Sequence, residues 1–158
     1  MDCTAIQPHL LALAPMLLAL SEHHFTYPVL HFFRSARRSA ATGVNIAMLD
    51  EALTIMEHGL GKEHRFNQSS LAPIRAAINE YILTLRPILS FAPDDGVPPV
   101  PSLQALRAAG LPMVDDATFA RTLTGQSERR TLLRKLARVE GWTWDTLWSN
   151  DVEWKSEK

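Results

Sequence analysis

The apolar residues between Ser70 and Leu89 recur at steps of three and four, and this spacing constrains the fold more than any other feature of the sequence. The set is Leu71, Ile74, Ile78, Tyr81, Ile82, Leu85, Ile88 and Leu89. Such spacing places apolar side chains on one face of an α-helix, and Arg75, Asn79 and Arg86 fall on the other side. The pattern predicts an amphipathic helix with Ser70 as its N-cap.

Three further segments have helical spacing and complete a predicted N-terminal lobe. Together with the helix after Ser70, the predicted helices cover residues 7–23, 28–38, 44–60 and 70–89. Pro28 is favoured at a first helical position, whereas Pro87 is expected to kink or end the last of these helices. We therefore predict an all-α fold that begins with a four-helix bundle lobe over residues 1–90.

The segment FAPDDGVPPVPS interrupts the helical spacing. Its four prolines and one glycine cannot continue a helix, so residues 91–101 are predicted to form an extended connection without regular structure. Capping residues then recur at Ser102, Asp115, Ser127 and Thr143, each ahead of a short apolar-periodic segment. Residues 102–158 are predicted to form a smaller lobe of short helices, packed on the first lobe.

Composition excludes several classes of protein. The formal net charge is −1, so no overall field attracts nucleic acid or anionic lipid. The only cysteine is Cys3, which rules out an intrachain disulfide and a thiolate zinc site. The longest apolar run, Leu10 to Leu20, is interrupted by Pro15 and is shorter than the roughly 20 residues that a membrane span needs.

The six histidines lie in the N-terminal half but lack the spacing of a metal site. Neither Glu-x-x-His nor His-Glu-x-x-His occurs. We predict that His23, His24, His31, His58 and His64 hold no metal and cap helices or lie at the surface. There is also no Gly-x-Ser-x-Gly elbow and no glycine-rich phosphate loop. The sequence therefore predicts no catalytic residues, no cofactor and no enzymatic activity.

A basic helix near the C-terminus raises the question of DNA binding. Its basic residues are Arg129, Arg130, Arg134, Lys135 and Arg138. Interleaved leucines and the neighbouring Glu128 and Glu140 favour another interpretation, a packed helix with a solvated basic face. We expect no nucleic-acid partner.

The segment YPVLHFFRSARRSAATG places an arginine-rich group beside two phenylalanines. On a helix from Pro28, the residues His31, Arg34 and Arg38 share one face and Arg37 lies between the two faces. Two interpretations stay open. The group is either an ordinary solvated face or a patch that binds carboxylates of a neighbouring element or lipid phosphates.

The first predicted helix is apolar on all sides rather than along one stripe. Its apolar residues include Leu10, Leu11, Leu13, Leu17, Leu18 and Leu20. A small bundle has little room for a helix that is apolar all round. These leucines are therefore predicted to form a homo-oligomer interface.

The segment YPVLHFFRSARRSAATGVNIAMLDEALTIMEHG resembles the soluble region that follows the pore helices in proteobacterial two-helix, pore-loop potassium channel family proteins. The later segments LQALRAAGLPMVDDATFARTL and RRTLLRKLARVEGWTWDTLW are similar to the end of such proteins. This chain itself contains no membrane helices and no Thr-Val-Gly-Tyr-Gly-like filter.

The resemblance implies a non-enzymatic cytoplasmic helical domain at the inner face of the membrane. Such a domain would act in assembly or regulation of a pore whose helices are not in this chain. The alternative is a free-standing helical interaction or small-ligand-binding protein.

Overall fold

The protein is all-α, as the apolar spacing predicts. The computed structural model describes residues 6–26 and 40–148. The helices in chain order are α1 (Gln7–Thr26), α2 (Thr42–Thr54), α3 (Gln68–Leu89), α4 (Gln104–Ala108), α5 (Asp116–Thr124) and α6 (Ser127–Val139). Within these ranges there is no strand, and a single antiparallel bridge joins Leu60 to Met113. Short turns at Lys62–His64 and Trp144–Leu147 are 3₁₀-helical.

Helix α3 buries the apolar face that the sequence predicts, from Leu71 to Leu89. Its N-cap is Asn67 rather than Ser70, because the Asn67 side chain accepts a hydrogen bond from the backbone N–H of Ser69 at 3.0 Å. The helix also continues past Pro87, and the N–H of Ser90 still donates to the carbonyl of Arg86 at 3.0 Å. Of the two outcomes expected at Pro87, the end of the helix is wrong, because only the N–H of Pro87 itself is missing from the ladder, and the kink stays a prediction.

Helix α1 packs lengthwise along α3. Leu10 and Ala14 are buried in the core, and Ser21 is buried with its hydroxyl donating to the carbonyl of Leu17 at 3.0 Å. The helix ends at Thr26, three residues beyond the predicted end. The predicted helix over residues 28–38 lies outside the described residues.

The Pro-rich connection has no regular structure between residues 91 and 101, as predicted. The predicted cap Ser102 accepts a hydrogen bond from the N–H of Gln104 at 3.3 Å through its hydroxyl, at the start of α4. Asp115 caps α5, accepting from the N–H of Thr118 at 2.8 Å. The predicted caps Ser127 and Thr143 make no such bond: Gln126 occupies the N-cap of α6, and the Thr143 side chain makes no capping hydrogen bond.

One main core joins the elements on both sides of the connection. Residues of α1, α2 and α3 share it with Leu133, Leu136 and Trp144 from the C-terminal part. A smaller cluster of Leu103, Phe119 and Leu123 lies beside it. The boundaries of the two predicted lobes stay a prediction, since the core itself continues across them.

The N-terminus of α2 is capped from the far end of α6. The carboxylate Oε1 of Glu140 accepts a hydrogen bond from the N–H of Gly43 at 2.7 Å across 97 residues of sequence. A carboxylate there also interacts favourably with the helix dipole. Burial nevertheless raises the pKa of Glu140, although the bonds from the backbone of Gly43 and Val44 oppose that rise. The contact fixes α2 against α6 and so positions the polar residues described next.

Candidate functional site

Helix α2 does not end as an α-helix but passes into a π-helical turn, Ile55–Gly59. The N–H of Leu60 donates to the carbonyl of Ile55 at 3.1 Å, a bond that spans five residues. Such turns occur preferentially at functional sites. Here the turn divides two cavities, because Ile55 and Met56 line an apolar pocket while Glu57 and His58 line a polar cleft.

Asp50 is the centre of a buried ionic cluster beside this turn. It is 1% exposed in its side chain and pairs with two arginines. Nη1 of Arg75 lies 2.6 Å from Oδ1 of Asp50. Arg129 donates to the same carboxylate through Nη2, at 2.6 Å from Oδ1, and through Nε, at 3.0 Å from Oδ2. Bidentate pairing of this kind is among the stronger ionic hydrogen bonds in proteins.

Arg75 extends this cluster to the π turn. Its Nη2 lies 2.6 Å from Oε2 of Glu57 and donates to the Thr54 hydroxyl at 3.0 Å. The Thr54 hydroxyl reaches the amide oxygen of Gln126 at 3.2 Å. The two carboxylates and two guanidinium groups of Asp50, Glu57, Arg75 and Arg129, here called the Asp50 cluster, have balanced charges. The cluster therefore suits positioning of the turn better than capture of a free anion.

A second ionic pair lies deeper, between Glu51 and Arg130. Nε of Arg130 is 2.7 Å from Oε1 of Glu51. The same guanidinium donates to the carbonyls of Pro98 and Pro99 at 3.0 Å and 2.7 Å, and it lies over the Trp144 ring at 6.0 Å from the centroid. Burial raises the pKa of Glu51, although its bond with Arg130 opposes that rise. The pair holds the Pro-rich connection against α2 and α6.

The polar cleft beside the Asp50 cluster has a volume of about 350 Å³. Its lining residues are Glu57, His58, Gln68, Ala72, Arg75, Gln126 and Arg129. Burial lowers the pKa of His58. The Glu57 carboxylate, 3.9 Å from Nε2 of His58, acts in the opposite direction, but its effect is smaller. A neutral imidazole beside two amides can exchange hydrogen bonds with a small polar molecule.

The apolar pocket on the opposite side of the turn is larger, about 560 Å³. It lies among Ala52 of α2, the π turn, residues 60–66, and Leu106 of α4 with the loop that follows. Backbone hydrogen bonds join its walls: the N–H of Gly61 to the carbonyl of Pro112 at 2.6 Å, and the N–H of Phe66 to the carbonyl of Met56 at 3.2 Å. The pocket is therefore held open by backbone bonds rather than by side chains alone.

The basic residues of α6 bind groups of this same chain. Besides Arg129 and Arg130, Nη1 of Arg134 donates to the carbonyl of Asp95 at 2.8 Å, and Lys135 lies 3.1 Å from the Asp94 carboxylate. The interpretation of this face as solvated is wrong for Arg130, which is 2% exposed. Its partner Glu51 lies on α2, far away in sequence.

The predicted oligomer leucines occupy different environments. Leu10 is buried in the core, and Leu13, Leu17 and Leu20 are partly buried against it. Leu11 and Leu18 remain exposed. The structure therefore leaves only part of the predicted set available to a partner.

Two other predictions fall wholly or partly on residues that are not described. The patch of His31, Arg34, Arg37 and Arg38 lies outside the described residues. In the part of the chain that is described, no three histidine, cysteine or acidic side chains are grouped as a metal site would need. The absence of a metal, like the absence of a cofactor, stays a prediction.

Sequence reasoning missed the Asp50 cluster and the Glu51–Arg130 pair. A signal was present, since Asp50, Thr54 and Glu57 recur at steps of four and three and so share a helix face. Polar residues in such a row on an otherwise apolar helix indicate a buried polar network. The arginine partners could not be assigned from the pattern because they come from two other helices.

The fold and the site define an all-α protein with buried ion pairs and a preformed apolar pocket. Over 135 residues, 85% of the chain, the sequence is 30% identical to a protein of Bacillus subtilis (strain 168) described as uncharacterized membrane protein YdjJ. The chain spans about two fifths of the length of that relative, 39%. No known family profile matches the chain, and no solved structure is detectably similar to it. Among the described helices, none has the length and apolarity to cross a membrane.

Proposed function

We propose that the chain is a non-enzymatic helical domain of an ion-channel-like, potassium channel family membrane protein, acting in assembly or regulation at the cytoplasmic face. The similarity over 85% of the chain to a protein described as a membrane protein carries this proposal. The resemblance of residues 27–59 to the region after the pore helices in that channel family supports it further.

An uncharged surface on α1 supports a role in assembly. Leu11 and Leu18, seven residues apart and so on one face of α1, are 38% and 45% exposed, and Met16 is 67% exposed on another face. The sequence from Gln7 to Ser21 contains no aspartate, glutamate, lysine or arginine. An exposed apolar surface without charges is typical of a protein interface, and a second copy of this chain is the partner we propose.

Light scattering over a concentration series tests the assembly. We expect the wild-type chain to self-associate, and Leu11→Glu and Leu18→Glu each to shift it towards monomer while the circular dichroism melting curve stays cooperative. Ala76→Glu, on the exposed side of α3, is the matched control and should leave the association unchanged. A wild-type chain that stays monomeric at high concentration would contradict assembly through α1.

Ion flux tests the channel part separately. In vesicles that contain the full-length Bacillus subtilis relative, we expect potassium flux that changes when its region matching this chain is deleted. Replacing that region by this chain should restore the behaviour of the intact protein. Absence of potassium flux with the intact relative would overturn the channel proposal without bearing on self-association.

The alternative, a small-ligand-binding helical protein, is favoured by a different observation. The apolar pocket has a volume of about 560 Å³, within the range of roughly 300–1,000 Å³ that small-molecule sites occupy.

A further inference from the structure

We propose that the apolar pocket binds a single-chain carboxylate, with the hydrocarbon chain between α2, α4 and residues 60–66 and the carboxylate at His64. This inference rests on the ligand-binding alternative and names its ligand class. Self-association through α1 is a separate proposal, because its test uses variants of Leu11 and Leu18 in light scattering, whereas ligand binding is measured by calorimetry.

The interior of the pocket selects an apolar body. Its walls include Ile55, Met56, Leu60, Phe66 and Leu111, and among the described residues that line it there is no aspartate, glutamate, lysine or arginine. A charged group placed deep inside would be desolvated without a partner. The ligand therefore inserts a hydrocarbon part and leaves its polar group at an edge.

One edge of the pocket has a cationic character that favours an anionic head group. His64 lines the pocket, and the exposed Lys62, Glu63 and Arg65 adjoin it in sequence, two cations and one anion with a formal net charge of +1. Nε of Arg65 donates to the carbonyl of the lining residue Leu60 at 2.9 Å, which holds the guanidinium at this edge. A carboxylate is the simplest head group that matches a guanidinium and an imidazole.

The size and rigidity of the pocket favour a small molecule over a protein partner. A helix with side chains is about 10 Å wide, so 560 Å³ would hold only about five helical residues. The walls are also fixed in advance, since the N–H of Val114 donates to the carbonyl of Gly59 at 2.8 Å and that of Leu111 to Leu106 at 3.0 Å. Preformed walls lower the cost of ordering a ligand.

Isothermal titration calorimetry with octanoate, decanoate and dodecanoate, each below its micelle concentration, is the direct test. We expect one saturable site per chain and an affinity that rises about fourfold for each methylene buried. 1-Decanol should bind more weakly than decanoate, because its hydroxyl places no negative charge at the edge of the pocket beside His64. Absence of saturable binding, or an affinity independent of chain length, would overturn the proposal.

Two variants locate the binding site. Ala52→Leu fills the pocket from α2 and should weaken decanoate binding at least about tenfold, whereas the matched control Ala76→Leu, on the exposed side of α3, should not. His64→Ala should weaken decanoate more than 1-decanol. Melting curves establish that each variant folds, and the chain-length series with wild-type protein does not depend on any variant.

Other occupants of the pocket give different results. If Ala52→Leu binds decanoate like the wild type, the ligand binds elsewhere and the proposal is wrong. If Ala52→Leu instead changes the oligomeric state in light scattering, a second copy occupies the pocket, and this too overturns the proposal.

Discussion

Glu51 and Arg130 lie 79 residues apart in sequence and form an ion pair that is almost completely removed from water. Nε of Arg130 is 2.7 Å from Oε1 of Glu51. The Glu51 side chain is 1% exposed and the Arg130 side chain is 2% exposed. The carbonyls of Pro98 and Pro99 complete the surroundings of the guanidinium. The Arg130 side chain thus joins α2, α6 and the Pro-rich connection.

Removing one partner of this pair should be strongly destabilising. Arg130→Met is expected to lower the free energy of unfolding by about 3–5 kcal/mol, since it leaves the Glu51 carboxylate buried without its cation. The double variant Glu51→Met with Arg130→Met should recover much of that loss. Urea unfolding measures the free energy of unfolding of the single and the double variant, and Arg121→Met, on the exposed side of α5, is the control. A loss for Arg130→Met as small as that of the control would contradict the buried pair.

Gly43 should not tolerate a side chain. A Cβ at this position would lie 2.7 Å from Cγ of the buried Leu136 and 3.0 Å from the Glu140 carboxylate. Gly43→Ala should therefore cost about 1–3 kcal/mol through overpacking. At Gly125 the nearest atom to an added Cβ is 3.6 Å away, so Gly125→Ala should be neutral or stabilising. Equal thermal stability of the two variants would count against the close packing of α2 on α6.

The buried Glu140 should make stability depend on pH in a defined direction. Burial raises its pKa above the usual value of 4.5, so the folded state binds a proton more tightly than the unfolded state. The stability contributed by this group is present below pH 4.5 and is lost as pH rises through the raised pKa. Glu140→Gln keeps an oxygen that accepts from Gly43 but cannot ionise.

The test compares the free energy of unfolding of Glu140→Gln with that of the wild type between pH values below 4.5 and neutrality. We expect the variant to gain stability relative to the wild type as pH rises from below 4.5 to neutrality, measured by chemical unfolding at each pH. A relative stability that falls over the same range would mean that the carboxylate is stabilised, rather than penalised, in its ionised form.

The C-terminal tryptophans should contribute unequally to stability. Trp144 is 4% exposed and packs in the main core, whereas Trp148 is 48% exposed. Trp144→Ala should cost about 3–5 kcal/mol, and Trp148→Ala considerably less. Thermal melting of the two variants decides this, and an unmoved melting curve for Trp144→Ala would contradict its place in the core.

The helical elements could be predicted from the sequence because their signals are local. The spacing from Leu71 to Leu89, the Asp115 cap and the prolines of residues 91–101 act through sterics and hydrogen bonds between near neighbours in sequence. Such interactions indicate which segments are helical without reference to any distant contact. Ser70 shows the limit of such signals, since the neighbouring Asn67 also has a capping side chain and takes the position.

The candidate site depends on tertiary structure because each of its features combines distant segments. The sequence indicates that Arg130 is a surface residue of a basic helix, whereas in the structure it pairs with Glu51 of α2. Gly43 has no special signal in the sequence, and its contact with Glu140 joins residues that are 97 positions apart. The apolar pocket likewise exists only where α2, the π turn and the loop after α4 meet. Local periodicity determined that this protein is all-α. Desolvation and close packing, which depend on which helices meet, decided where its buried charges and its cavities lie.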